Sequence, residues 1–486
     1  MSIRKELTSG IAYTALAKYS GMIISLVVVG ILARMLTPKD FGVVAIATVF
    51  ILFFSTFSEM GIGPAIIQRN DLSKRDTSSI FMFTVWMGIG ISTLFFFCAP
   101  LVGSFYRDPT LTTICKLLSI NLLFSTLNIV PNGLIYKNKL FKYIAIRTLL
   151  VQLLTGAIAI ISVFAGVGIY ALIIHPILSA SLIFFLNYYK YPQQIHLTLQ
   201  KTALAKIAKY STYQFMFNIL NYFSKNVDKL IIGRTIDMTS LGFYDKSYQL
   251  LMLPLQNVSL VVGPVLHPVF SEMQKDKESI KRSYEKIIHI LSFISFPLSI
   301  FLLFCAREIV LILFGDQWIQ AIPVFQIFSL SVSILILLNT SGAIFQASND
   351  TRSLFFSGVT SFTTSIIAIC IGVFYFKSIK AIALLMDISF IIYFIQCYLT
   401  MYKVTFHASM KTFWEQLIHP IKVSILLAIV LFFTSTMINT FNIFVSFGIK
   451  ATFALSTLLL YLHFSRELRL GQLIKKIKKQ KIGHGK

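Results

Sequence analysis

The chain has 486 residues, 56% of them hydrophobic and only 13% charged, and its mean hydropathy is +0.78. Soluble domains carry about 25% charged residues, and apolar stretches of ~20 residues mark membrane helices. Such stretches follow one another here from end to end, which excludes a soluble globular fold and makes this an all-α polytopic membrane protein. The net charge of +24 lies in alternate short loops and the C-terminal tail. It forms no long basic groove or aromatic-interleaved platform, so it reads as a positive-inside signature rather than nucleic-acid binding.

In chain order the pattern predicts fourteen spans, near 12–36, 41–66, 78–103, 112–134, 146–166, 168–189, 205–233, 242–270, 286–314, 319–346, 354–376, 378–402, 415–437 and 441–464. Arg4 and Lys5 precede the first apolar run as in a signal peptide. That run is long, holds Lys18 and is followed by many more spans, so it reads as an uncleaved first helix. An even count places both termini on one side. Segments on that side hold roughly 29 Lys and Arg and the opposite loops roughly 6, which puts both termini in the cytoplasm. The basic tail, with the run KKIKKQK, reads as an anchor near anionic headgroups. Residues 271–286 mix both signs and read as a surface helix linking spans eight and nine.

An internal repeat recurs at an offset of 200. Ile31 and Arg34 match Ile231 and Arg234, Gly42 matches Gly242, and Gly63-Pro64 matches Gly263-Pro264. Spans one and two therefore correspond to seven and eight, and because both pairs begin inside, the repeat is parallel. The expected organisation is a six-helix lobe over 1–190, a second over 191–402, two additional spans over 403–464 and a basic tail over 465–486.

Polar stripes single out these repeated spans. Gln214, Asn218, Asn221, Lys225 and Asp228 recur at helical spacing, with Lys229 adjacent. Asp245, Gln249, Met252, Gln256, Ser259, Gly263 and His267 do the same on the next span. The first pair is sparser: Thr14, Lys18, Gly21 and Ser25, then Thr48, Ser55 and Glu59. Each charge at bilayer depth costs at least ~2.5–3.5 kcal/mol, so the stripes face polar partners or a water-filled cavity. One reading is a pair of hydrogen-bonded helix seams; the other is a hydrophilic cavity for a charged ligand. Lys18, Lys225 and Lys229, with Arg34 and Arg234 at the outer mouth, suit a phosphate or pyrophosphate. Asn218, Asn221, Gln249 and Gln256 add neutral donors and acceptors. Glu59, Asp228 and Asp245 are the carboxylates, and a buried one can carry a coupling proton; partial neutralisation by Lys225 and Lys229 is the plainer role for Asp228.

Other polar groups have local readings. Arg307-Glu308 and Lys422 snorkel or pair at helix ends, Asp387 and Lys450 lie deeper, and His175 and His267 each precede a proline and hydrogen-bond at a kink. Cys98, Cys115, Cys305, Cys370 and Cys397 all fall in apolar stretches without CxxC spacing, so neither a disulfide framework nor a metal site is expected. No Walker loop, HExxH or GxSxG motif occurs, so no catalytic residue, cofactor or metal ligand is assigned.

The segments LARMLTPKDFGVVAIA, FSEMGIGPAIIQR and NVDKLIIGRTIDMTSLGFYDKSYQLL resemble the Wzx-type polysaccharide flippases of the multidrug/oligosaccharidyl-lipid/polysaccharide exporter superfamily, closest to the colanic-acid and teichuronic-acid exporters. The resemblance covers essentially the whole chain. It implies a non-enzymatic carrier in a bacterial cytoplasmic (inner) membrane, moving undecaprenyl-pyrophosphate-linked oligosaccharides from the cytoplasmic to the periplasmic leaflet by alternating access. It also implies coupling to H+ or Na+, with a polysaccharide polymerase and chain-length proteins as partners beside the lipid bilayer. Lys18, Lys225 and Lys229 fall where the family's cationic cavity would be lined. Two alternatives compete: an ion-coupled multidrug antiporter, whose cationic substrates fit poorly with lysines, and a membrane polysaccharide polymerase, which wants a longer outer loop.

Overall fold

The computed structural model describes residues 3–69, 71–194, 222, 226–271, 276–438 and 441–465. Every regular element among them is helical: α1 (Ile3–Met35), α2 (Pro38–Glu59), α3 (Ile62–Gln68), α4 (Lys74–Tyr106), α5 (Pro109–Leu127), α6 (Ile129–Lys137), α7 (Phe141–Phe164), α8 (Ala171–Lys190), α9 (226–235), α10 (Met238–Ser271), α11 (Lys277–Phe304), α12 (Ala306–Phe314), α13 (Ala321–Ala347), α14 (Thr351–Cys370), α15 (Ile379–Thr400), α16 (Lys411–Met437) and α17 (Ile443–Ser465). Short 3-10 turns and two π-helical continuations, Ile371–Phe376 and Met401–Thr405, complete them. Twelve spans among the described residues are long and apolar enough to cross a membrane. The two remaining predicted spans coincide with the incompletely described 205–233 and with α10.

Local sequence explains the ends. In TPKD the Thr37 hydroxyl accepts from the Asp40 N–H and the Asp40 carboxylate accepts from the Thr37 N–H, with Pro38 in the first turn. The run SKRD repeats this with Ser73 and Asp76 at the start of α4. Both are capping boxes that satisfy otherwise orphaned N–H groups. Several predicted spans are broken helices. The second divides into α2 and α3 because Met60 and Gly61 are both left-handed, at φ 35° and 71°, and the fourth divides into α5 and α6 at Asn128. The charged stretch read as a separate surface helix is, from Lys277 onward, the opening of α11. No proline or glycine interrupts it before Pro297, and Lys281 and Arg282 both pair with Glu278, at 2.8 and 3.0 Å.

The chain forms two compact units. The first comprises Met1–Lys246, Leu313–Gln320 and Ile369–Ile379, and the second Ser247–Ile312, Ala321–Ala368 and Lys380–Lys486. In that unit α1 packs on α7 and α4 on α5. Lipid is as apolar as a side chain, so this packing depends on close approach at small residues. A Cβ at Gly156 would come within 2.7 Å of Val28, and one at Gly88 within 3.2 Å of Thr126.

The closest approach joins the two repeats. A Cβ on Gly42 would overlap the Met238 carbonyl oxygen and stand 3.2 Å from the Gly242 nitrogen. One on Gly242 would overlap the Pro38 carbonyl oxygen and stand 3.3 Å from the Gly42 nitrogen. Positions 38 and 42 thus meet 238 and 242 reciprocally, the self-complementary pattern of a two-fold contact. Only glycine fits at either point.

In the second unit α11 packs against α13 and α16. The Tyr284 hydroxyl lies 2.8 Å from Thr340 and 2.9 Å from the Tyr398 hydroxyl, and the Tyr398 and Phe413 rings stack at 4.5 Å. Buried Glu285 accepts from Tyr402 at 3.2 Å and from Thr412 at 2.6 Å. Lys450 of α17 pairs with Glu308 of α12 at 2.6 Å and donates to the Phe304 carbonyl at 3.0 Å, while Ser446 donates to the same carboxylate at 2.8 Å. This ties the last helix to the bundle through a buried pair whose members the sequence reading had treated apart, Glu308 as a helix-end group and Lys450 as a deeper one.

Candidate functional site

Two polar constellations stand inside the first unit. One is a charged cluster where α9 turns into α10. Lys229 pairs with Asp245 at 2.7 Å, and the Asp245 side chain is almost wholly buried. Asp228, also buried, accepts from the Lys229 N–H at 2.8 Å and from the Tyr244 hydroxyl at 3.0 Å. Lys246 is buried with its ammonium 4.7 Å from the centre of the Phe41 ring, a favourable stance for a desolvated cation. Two lysines and two aspartates thus offset one another, and a pair removed from water holds only while both partners remain.

The predicted mouth residues differ in placement. Arg234 is exposed, with its guanidinium 5.1 Å from the centre of the Phe105 ring. Arg34 and Lys18 are exposed on α1, and Gln249 and Gln256 are exposed on α10. Lys225, Asn218 and Asn221 lie outside the described residues. Within the first unit Lys229, Asp228 and Asp245 come together.

Glu59, the last residue of α2, belongs to the second constellation. It lines a cavity of about 480 Å³ walled by α5, α6 and α8 and including Asn121, Asn128, Asn132 and His175. Behind the wall Arg147 of α7 is buried and donates to the carboxamide oxygens of Asn187 and Asn132, the latter at 3.4 Å. Asn187 in turn donates to the Asn128 oxygen at 2.7 Å and the Asn132 oxygen at 3.4 Å. Asn121 donates to the Pro176 carbonyl at 2.7 Å, and His175 Nδ1 lies 2.8 Å from the Thr155 hydroxyl. The His175 contact was legible only as a kink hydrogen bond. Asn121, Asn128 and Asn132 recur at helical spacing within one predicted span, a signal the sequence reading passed over; Asn187 lies on α8 and joins them only through the fold.

In the second unit Asp387 of α15 is buried and accepts from Ser331 of α13 at 2.6 Å, its other oxygen having no partner among the described residues. Among the described residues no group of His, Cys, Asp and Glu is arranged to hold a metal ion.

Comparisons with known proteins agree with this architecture. A family model described as "Polysaccharide biosynthesis protein" matches residues 31–323. The chain is 24% identical over 367 residues to the teichuronic acid biosynthesis protein TuaB of Bacillus subtilis (strain 168), covering 74% of this chain and 75% of that protein. It is 25% identical over 336 residues to the lipopolysaccharide biosynthesis protein WzxC of Escherichia coli (strain K12), covering 67% of each. Its fold is similar to that of the lipid II flippase MurJ in an inward closed conformation, with a TM-score of 0.72 and 16% identity over 94% of this chain and 99% of that one. The resemblance to the polysaccharide flippases therefore stands, and the molecule is a multi-pass membrane transport protein rather than an enzyme.

Proposed function

This chain belongs to the polysaccharide biosynthesis protein family, and we propose that it flips undecaprenyl-pyrophosphate-linked oligosaccharide units from the cytoplasmic to the outer leaflet of a bacterial inner membrane, for surface polysaccharide synthesis. Both termini are cytoplasmic in this reading, as the basic loops require.

The observation that carries it is the buried cluster of Lys229, Asp228, Asp245 and Lys246 on helices that are otherwise apolar. A charge pair at this depth costs more than a hydrophobic pair unless it serves a ligand or a switch. The lysine has a compact, point-like charge suited to a pyrophosphate. When the headgroup arrives, Lys229 exchanges Asp245 for phosphate, and the released carboxylate takes a proton or a sodium ion. Lys18, Lys225, Arg34 and Arg234 extend the cationic path, Asn218, Asn221, Gln249 and Gln256 line it with neutral groups, and Glu59 and Asp228 are further candidates for ion coupling. The Gly42–Gly242 contact, in the pair of short outer turns, is the seam that parts when the path opens outward.

The test is export of the polymer in cells carrying Lys225→Ala or Lys229→Ala, with membrane insertion verified. The expected result is reduced export with a complete, unpolymerised lipid-linked unit facing the cytoplasm. Wild-type export in both variants removes the cationic path. Single units accumulating on the outer face would instead favour a polymerase, and an unchanged lipid-linked pool would favour drug efflux.

A further inference from the structure

We infer that the cavity at the end of α2 is a recognition subsite for a neutral, polyhydroxylated sugar ring, spatially separate from the charged cluster that would take the pyrophosphate. The inference rests on the saccharide-carrier reading above and adds to it the place where the sugar itself is read.

Arg147 sets the direction of the hydrogen bonds around the cavity. A guanidinium can only donate, so the carboxamide oxygens of Asn187 and Asn132 must face it. The Asn187 amide then points the other way, and its donors reach the oxygens of Asn128 and Asn132. Both cavity asparagines therefore spend their oxygens on the buried network. Their Nδ2 groups, which have no protein partner among the described residues, remain for the cavity. The opposite sense holds on the other side. Asn121 spends its amide on the Pro176 carbonyl, leaving its oxygen. Thr155 gives its one proton to the Val151 carbonyl at 2.8 Å. With that proton on the carbonyl it accepts from His175 Nδ1–H, the tautomer that leaves Nε2 as an acceptor. Glu59 adds a carboxylate.

The wall thus offers fixed donors from Asn128 and Asn132 and fixed acceptors from Asn121, His175 and Glu59. Arg147, buried and oriented by its neighbours, holds that sorting in place. A sugar hydroxyl both donates and accepts, so adjacent hydroxyls on a ring can use the two sets together. Among the described residues no lysine or arginine lines the cavity and a carboxylate does, which disfavours a phosphate. The cavity's volume falls in the ~300–1,000 Å³ range of small-molecule sites. The basic loops place α6 and the end of α2 toward the cytoplasm, the side from which the cargo is taken.

The experiment uses the purified full-length protein in nanodiscs and a panel of methyl glycosides of hexoses, 6-deoxyhexoses and N-acetylhexosamines, read by saturation-transfer NMR. The key variant is Asn128→Asp with Asn132→Asp. It keeps the oxygens that Arg147 and Asn187 need and replaces both cavity donors with acceptors. The expected result is transfer to at least one glycoside, weakened about tenfold or more in the double variant, with no competition from inorganic pyrophosphate. Should the double variant not fold, Glu59→Gln probes the acceptor side outside the asparagine network and is expected to shift which glycoside binds. No transfer to any glycoside, competition by pyrophosphate, or binding unchanged in the variant that folds overturns the subsite. Flipping of a lipid-linked saccharide by the wild type, measured separately, tells the two failures apart. Flipping without glycoside binding removes only the subsite, whereas glycoside binding without flipping removes the carrier reading.

Discussion

Gly42→Ala places a methyl group where the Met238 carbonyl oxygen now stands, and Gly242→Ala does the same against Pro38. Neither obstruction is the end of a flexible side chain; both are backbone on a capped helix start, so the two segments must move apart. Overpacking of this kind costs ~1–3 kcal/mol, which shifts the balance between closed and parted seams by about 5- to 140-fold. The two methyls act on one contact. Once the first has opened it, the second meets a wider gap, and the double variant should cost clearly less than the sum of the singles. Independent sites add to within ~0.3–0.5 kcal/mol, so a shortfall beyond that measures the coupling. The assay is denaturant unfolding of the purified full-length protein in detergent, for both singles and the double. Additive costs, or single costs below ~0.5 kcal/mol as at an ordinary surface position, would refute the reciprocal seam.

The remaining predictions concern the second unit. Lys450→Met leaves the Glu308 carboxylate buried beside Ser446 without its cation and should destabilise by ~3–5 kcal/mol. Lys450→Met combined with Glu308→Met should recover most of that loss in the same unfolding assay, and no recovery would contradict a paired role. Burial alone would raise the Asp350 carboxyl, but hydrogen bonds from the Thr405 hydroxyl at 2.7 Å and the Ser353 N–H at 3.0 Å outweigh it and hold the group below the usual carboxylate range. A depressed folded value means that its stabilisation is present above the unfolded carboxylate range, near ~3.9, and is lost as pH falls through the lower folded value. Amide exchange at the start of α14 should accelerate over that acidic window, and Asp350→Asn should abolish the pH dependence. An identical profile in the variant would show that another group is responsible.

Much of the fold was legible because membranes leave few options: apolar runs of span length had to be helices. The starts of α2 and α4 lie a few residues ahead of the apolar runs, because the capping boxes in TPKD and SKRD, which the hydropathy pattern does not register, open those helices. The offset of 200 also anticipated a relation between Gly42 and Gly242, though not that the two glycines touch. Helical spacing identified the polar faces of α9 and α10, but a face does not name its partner. Asp228 read as the neutraliser of Lys229, whereas Asp245, on the next helix, makes the ion pair. The same limit hid Glu308 and Lys450, 142 residues apart. It hid most completely the asparagine network around Arg147, whose members are ordinary as single residues and acquire direction only from a guanidinium on a neighbouring helix.

The most direct test of the central claim is reconstitution of the purified full-length chain in liposomes with a polyprenyl-pyrophosphate-linked saccharide, reading the sugar on each leaflet by its accessibility to an impermeant oxidant. The account predicts that the saccharide reaches the opposite leaflet with the wild type and markedly more slowly with Lys229→Ala. Saccharide that stays on its original leaflet with the wild-type chain, under either a proton or a sodium gradient, would contradict it.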